Sequence, residues 1–177
     1  MAITKIQSES LNLADNYDFT GTVTGAGEKN SPCFMAAYTG SGITINDATD
    51  TKGTFDTEFV DVGSVYDTST SRYTPGFVGK SFISTGMSFY SSGSNMQFVR
   101  VLFYKNGSSL TNATDNPAND TGQIWITSNL IVDHNATDYF EVYLRSDTSN
   151  GSAIEVPASS VNAAKPFNYF QGFKVLT

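Results

Sequence analysis

Apolar residues in this chain never recur at the i, i+3, i+4, i+7 spacing of an amphipathic helix over a sustained stretch. They come in short alternating runs separated by Gly, Ser, Thr, Asn and Asp. In "DYFEVYLRS", Phe140, Val142 and Leu144 fall on one side, and Tyr139, Glu141, Tyr143 and Arg145 on the other. "TGQIWITSNLIVDHN" places Ile124, Ile126, Leu130 and Val132 on one face. "MQFVRVLFYKNG" closes on Asn106-Gly107, a tight-turn signal, and Asn150-Gly151 precedes a short returning strand, "SAIEV". "FDTEFVDVG" alternates at Phe55 and Phe59, then shifts phase to Val60 and Val62, which predicts a bulge or a change of sheet. A chain built this way predicts an all-β sandwich or jelly roll with almost no helix.

Thirteen Phe, nine Tyr and one Trp supply a large core for one domain, while only 15% of the 177 residues are charged. "MQFVRVLFYK" is apolar on both faces: Val99, Val101 and Phe103 on one, Phe98, Leu102 and Tyr104 on the other. A two-sheet sandwich buries one face of each sheet, so this second face calls for a further cover, most naturally another subunit. The net charge of −7 argues against nucleic acid and against an anionic membrane surface. No run approaches the roughly 18 apolar residues of a membrane span. "MAITKIQSES" has Lys5 with no apolar run after it, so no signal peptide is expected, and synthesis in the cytoplasm is. Residues 1–30 are poor in apolar residues and end in "GAGEKN". They read as an N-terminal arm that orders against something else, ahead of a domain over 31–177.

Reactive chemistry is sparse. The one histidine, His134, reads as a solvated loop residue in "DHNATD", and the one cysteine, Cys33, as a small buried apolar residue. A nucleophilic triad would need Ser or Cys beside His134, and no elbow motif accompanies it. One His and one Cys are too few for zinc. Gly25-Ala26-Gly27 lacks the strand-to-helix context of a phosphate loop. Asp115, Asp120, Asp133 and Asp138 lie in candidate loops, where solvation accounts for them. "INDATDTKG" and "TNATDNPANDTG" are rich in oxygen ligands but lack the spacing of a dedicated calcium loop. The expectation is no catalytic residue, no cofactor and no metal.

The stretch "GTFDTEFVDVGSVYDTSTSRYTPGFVGKSFISTGMSFYS" resembles the centre of the complement C1q globular-head family. Phe55, Asp56, Thr57, Tyr66, Asp67, Arg72, Tyr73, Pro75, Gly79 and Phe82 stand at matching places. "VLFYKNGSS", "DYFEVYLRS" and the closing "NYFQGFKVLT" continue the likeness, which covers about residues 32 to 177. The resemblance implies a ten-stranded jelly roll like that of the tumour necrosis factor ligands, assembled as a homotrimer. It departs from the family in lacking the collagen stalk that often precedes the head. Together with the apolar second faces, it makes Tyr139, Tyr143, Tyr169, Phe170 and Phe173 the expected trimer-interface aromatics. Which of Tyr169 and Phe170 faces the axis is open, since one residue of register inverts the answer.

The arm, "ITKIQSESLNLADNYDFTGTVTGAG", is similar to leaders on structural proteins of tailed phages of marine bacteria. That likeness implies a non-enzymatic virion protein, displayed as capsid decoration or a short tail appendage and held to capsid or tail proteins by the arm. Residues 108–121 and 47–53 read as outward loops without a basic patch or an aromatic platform. A host-surface partner would then be a neutral glycan or a protein. The alternative is a cell-encoded C1q-like or lectin-like binding module; a jelly-roll enzyme acting on carbohydrate is disfavoured by the missing reactive constellation.

Overall fold

The computed structural model describes residues 30–93, 96–115, 122–157 and 168–176, with the side chains of 112–115 excepted. Most of the N-terminal arm and residues 116–121 of the second candidate loop lie outside them. The described residues form two antiparallel sheets and no helix. Sheet I holds β1 (Cys33–Ala37), β2 (Gly42–Ile45), β4 (Thr57–Val62), β7 (Gly79–Tyr90), β10 (Gln123–His134), β12 (Ile154–Pro157) and β13 (Tyr169–Val175). Sheet II holds β3 (Thr51–Lys52), β5 (Tyr66–Asp67), β6 (Arg72–Tyr73), β8 (Met96–Lys105), β9 (Ser108–Asp115) and β11 (Phe140–Thr148). Ten of these strands are four residues or longer, and β3, β5 and β6 have two each. A jelly-roll sandwich, as the sequence predicts, fits this arrangement.

Strand β7 organises sheet I. Along one edge it pairs with β10 without interruption, from Gly79↔His134 to Tyr90↔Gln123. Along the other edge β13 covers Lys80 to Gly86, and β12 begins only at Tyr90. Asn168 fills the gap: its Oδ1 accepts from the Ser88 backbone N–H at 2.8 Å and from Ser88 Oγ at 2.9 Å. The ladder donor is thereby satisfied where no strand reaches it. Beyond β13 the sheet continues through β1 to β4.

The predicted phase shift in "FDTEFVDVG" is a bulge. Met35 pairs with Val60 and Ala36 with Glu58, so Phe59 is the unpaired extra residue. Asn106 and Gly107 have φ of 53° and 78°, the two positive values that a two-residue hairpin turn between β8 and β9 requires. The expected loop after this turn is a strand instead, since Ser108–Asp115 pairs along β8. The 47–53 segment is also tied down. Asp47 Oδ1 accepts from Thr148 N and Oγ1, and Thr51–Lys52 pairs with β11.

The core lies between the sheets and is dominated by rings. Phe34 stacks on Tyr66 and Tyr73, with centroids 4.9 and 4.6 Å away, and meets Phe170 edge-on at 4.9 Å. Phe55 and Phe103 flank Phe170 at 5.8 and 6.1 Å. The close approach needs Gly172, which pairs with Phe34 across β1 and β13. A Cβ there would sit 2.9 Å from the Phe82 carbonyl oxygen and 3.0 Å from the Phe34 ring. Phe170 has no exposed surface in the single chain. This corrects its expected place at a trimer interface: the register turns Phe170 inward and Tyr169 outward. Phe170→Ala should therefore lower the folding free energy by about 3–5 kcal/mol, read from urea unfolding. An interface ring would instead change the assembly and leave the fold of each subunit intact.

Candidate functional site

Each sheet has an outer face, and the two faces differ in kind. Along β7, Ser81, Ile83, Thr85, Met87 and Phe89 are buried toward the core, so Lys80, Phe82, Ser84, Gly86, Ser88 and Tyr90 face outward. Register carries the outward positions across the sheet as rows. One row reads Ile131, Phe82, Phe173, Cys33 and Val62 on β10, β7, β13, β1 and β4. The next reads Asn129, Ser84, Gln171, Met35 and Val60, and the third Thr127, Gly86, Tyr169, Ala37 and Thr57. Three successive rows across five strands thus contain no charged residue. Phe82 and Phe173 stack at 5.1 Å, while Ile131, Val62 and Phe173 remain 59%, 50% and 38% exposed. Trp125 and Tyr90 add exposed rings toward the far end of β7. Among the described large hydrophobics that stay exposed, only Leu110 belongs to a strand of sheet II.

The outer face of sheet II is roofed by its own chain. Glu141 on β11 is 2% exposed although it points away from the core. Its Oε1 accepts from Lys52 Nζ at 2.5 Å and from Arg72 Nε at 2.9 Å. Burial pushes the Glu141 carboxyl up, but the two cations outweigh it and hold the group below its ordinary range. Arg72 lies over the Tyr139 ring at 4.1 Å. Tyr143 stacks on Tyr104 at 4.0 Å, and Tyr104 donates its hydroxyl to Asp50 Oδ2 at 2.6 Å. That bond pushes the Tyr104 phenol up to about 12 and lowers Asp50. Arg145 holds the other Asp50 oxygen at 3.0 Å, and Arg100 covers Phe98 at 4.9 Å. Phe98, Leu102 and Tyr104 do form the second face of β8. Within one chain they are partly covered by the chain's own Tyr, Arg and Asp residues.

The expected interface aromatics therefore separate. Tyr169 and Phe173 lie on the outer face of sheet I, Tyr139 and Tyr143 on that of sheet II, and Phe170 between the sheets. Cys33 is half-buried in the apolar row of sheet I rather than in the core. His134 is not a solvated loop residue. It ends β10 and is 5% exposed, between the rings of Phe77 and Phe140. Its Nδ1 faces the carbonyl oxygens of Phe77 and Asn135 at 3.1 and 3.3 Å, so Nδ1 carries the proton. Nε2 then accepts from Ser81 Oγ at 2.8 Å, and Ser81 accepts from the Tyr73 hydroxyl at 2.8 Å. This Ser–His pair has the spacing of a nucleophile and its base, but Ser81 is fully buried, so no substrate reaches it. Its partners come from segments more than fifty residues apart, which is why the sequence hides it. Asp133 is solvated, 80% exposed near the end of β10, whereas Asp138 is buried. Asp133 pairs with Lys80 at 2.6 Å, and buried Asp138 accepts from Asn106, the Asn135 backbone and Lys105. No three of His, Cys, Asp and Glu come together as a metal would need, among the described residues.

Eiger TNF from S. frugiperda superposes with a TM-score of 0.56 at 9% identity, over 81% of this chain and 92% of that one. The globular domain of zebrafish complement 1qA aligns with a TM-score of 0.49 at 13% identity, over 82% and 98%. No protein-family model matches the chain, and no curated protein does. The likeness to Eiger TNF is one of fold, a TNF-like jelly roll, and function has to be argued from the faces.

Burial lowers the His134 pKa below the 6.5 of a free imidazole. The unfolded chain takes up a proton near that pH and the native chain refuses it. Stability is then complete above about pH 6.5 and falls as pH drops toward the lower folded value. The melting temperature should fall between pH 7 and pH 5 in the unmodified chain. His134→Gln, less stable at pH 7, should lose most of that slope; a slope unchanged by the substitution would assign it to other groups.

Proposed function

We propose that this chain is a non-enzymatic, self-assembling module that forms a homotrimer through the outer face of sheet I. The observation that carries this reading is the set of three uncharged rows with exposed Ile131, Phe173 and Val62. Fully burying an exposed side chain of this kind contributes roughly 1.5–3 kcal/mol. These, 59%, 38% and 50% exposed in a single chain, contribute about half of that each. Association costs about 4–15 kcal/mol, so several must be covered at once, and the face offers that number together. The apolar surface also turns a corner. At the β10 edge, Leu130, Ile131 and Val132 line a shallow groove with Leu110 and Thr111 of β9, and Lys105 and Asp133 close it with charge. At the opposite edge β4 presents Val60 and Val62. Two unlike surfaces at opposite edges, a mixed groove and an apolar strand, favour a head-to-tail contact that closes into a ring over a two-fold face-to-face dimer. The C1q-like resemblance supports three as the number.

In this reading the trimer is part of a phage particle. The arm over 1–30 holds it to capsid or tail proteins, and the domain faces outward as capsid decoration or a short tail appendage that contacts the host surface. The likeness of the arm to phage leaders supports this, as does a domain whose described side chains offer no accessible reactive pair. Assembly of the chain in the host cytoplasm and release with the particle complete the proposal.

Light scattering on the unmodified chain should give three times the 19.1 kDa subunit. Phe173→Asp and Val62→Asp should give monomers with an unchanged β circular dichroism spectrum, while Arg72→Gln on sheet II keeps the trimer. A stable, soluble monomer of the unmodified chain contradicts the proposal. Deleting residues 1–27 should leave the trimer folded and abolish its incorporation into particles. Particles that still carry the truncated chain would remove the arm from the account.

A further inference from the structure

We propose that the outer face of sheet II is a binding surface for a neutral saccharide, centred on Tyr104, Tyr143, Tyr139, Asp50, Arg145 and Arg72. All three arginines of the chain stand on this face, although 28 and 45 residues separate them in sequence. They bring Lys52 with them, and four acids stand among them: Asp50, Asp67, Glu141 and Asp147. The signs cancel, so the face presents no net field that would select an ion. It presents fixed donors and acceptors beside aromatic rings, which is what a polyhydroxylated, uncharged ligand needs.

The groups are held before any ligand arrives. Asp50 is fixed by Tyr104 on one oxygen and by Arg145 on the other, and each of these carboxylate oxygens keeps lone-pair capacity for a hydroxyl. Arg72 reaches Glu141 through Nε, and its terminal Nη edge makes no hydrogen bond among the described residues. The side chains of Arg72, Asp50 and Arg145 are 40%, 31% and 31% exposed, so a ligand can reach them. The stacked pair of Tyr104 and Tyr143, with Tyr139 beside Arg72, gives a ring surface for sugar C–H groups. Lost side-chain entropy on binding is small because these contacts already exist. The position also favours a saccharide over a peptide. A peptide adds most readily to a strand edge, where backbone groups are free, whereas this site is the middle of a sheet face across β8 and β11. The sequence gives no hint of it: the outward loops lack such a platform, and the platform forms on strands.

This inference names a site for the surface contact proposed above, and it lies within one chain. Its test therefore separates from that of the assembly. The experiment is a titration of the full chain with neutral hexose oligomers of glucose and of mannose, with oligogalacturonate as the charged comparison, followed by NMR of the tyrosine rings. The expected result is saturable shifts at Tyr104, Tyr143 and Tyr139 with a neutral oligomer, at millimolar affinity per chain. Tyr143→Ala and, in case that variant folds poorly, Asp50→Asn should each weaken binding by roughly tenfold, as one lost contact predicts. Phe173→Asp, on the other sheet, should keep it. Absence of ring shifts with every neutral oligomer overturns the proposal. So does a response to oligogalacturonate alone, or undiminished binding by both sheet II variants. A monomer that binds would sink the assembly reading and keep this one; a trimer that does not bind would do the reverse.

Discussion

A two-layer sandwich turns alternate residues of every strand toward the core and the others away from it, so each sheet keeps one face that the fold does not cover. How those two outer faces are dealt with decides what else the molecule does. Sheet II covers its own. Glu141, pointing outward on β11, is buried by Lys52 and Arg72, and Tyr143, Tyr104, Asp50 and Arg145 continue the roof. Removing a partner from Glu141 would leave a buried carboxylate short of a counter-charge, a costly state that ties β3, β6 and β11 together. Among the described residues, sheet I has no such roof. Three of its outward rows carry no charge, and Ile131, Val62 and Phe173 stay exposed.

Much of the fold is legible in the residues. Period-two runs mark β10 and β11, and their inward faces are those the alternation gives. The break in rhythm at Phe59 marks a bulge, and Asn106-Gly107 a hairpin turn, because each needs a backbone shape that few residues supply. What the residues do not reveal is pairing. Phe170 and Tyr169 are adjacent aromatics, and only the register with β1 and β7 says which one enters the core. The second apolar face of β8 does imply a cover, yet part of that cover comes from β11 and the segment around Asp50, tens of residues away. The apolar rows of sheet I are equally hidden, since Ile131, Phe82, Phe173, Cys33 and Val62 come from five separate segments. His134 reads as solvated because its partners, Phe77 and Ser81, meet it only through pairing of β7 with β10.

The likeness to Eiger TNF at 9% identity makes the same point from outside. Core alternation and turn chemistry are enough to hold a jelly roll, and the outward residues are free to differ. Within the described residues, the outward surface of this chain divides into an uncharged patch on sheet I and an arginine–tyrosine face on sheet II.

The central claim is that the outer face of sheet I is covered by another copy of the chain. Trp125 is the only tryptophan, and it lies on that face, 41% exposed in a single chain. Its fluorescence therefore reports on this surface alone. Acrylamide quenching measured over a dilution series tests the claim most directly. The account predicts weak quenching and blue-shifted emission when concentrated, giving way to strong quenching and red-shifted emission as dilution separates the subunits. Strong quenching that does not change with concentration, in particles of trimer mass, would contradict it.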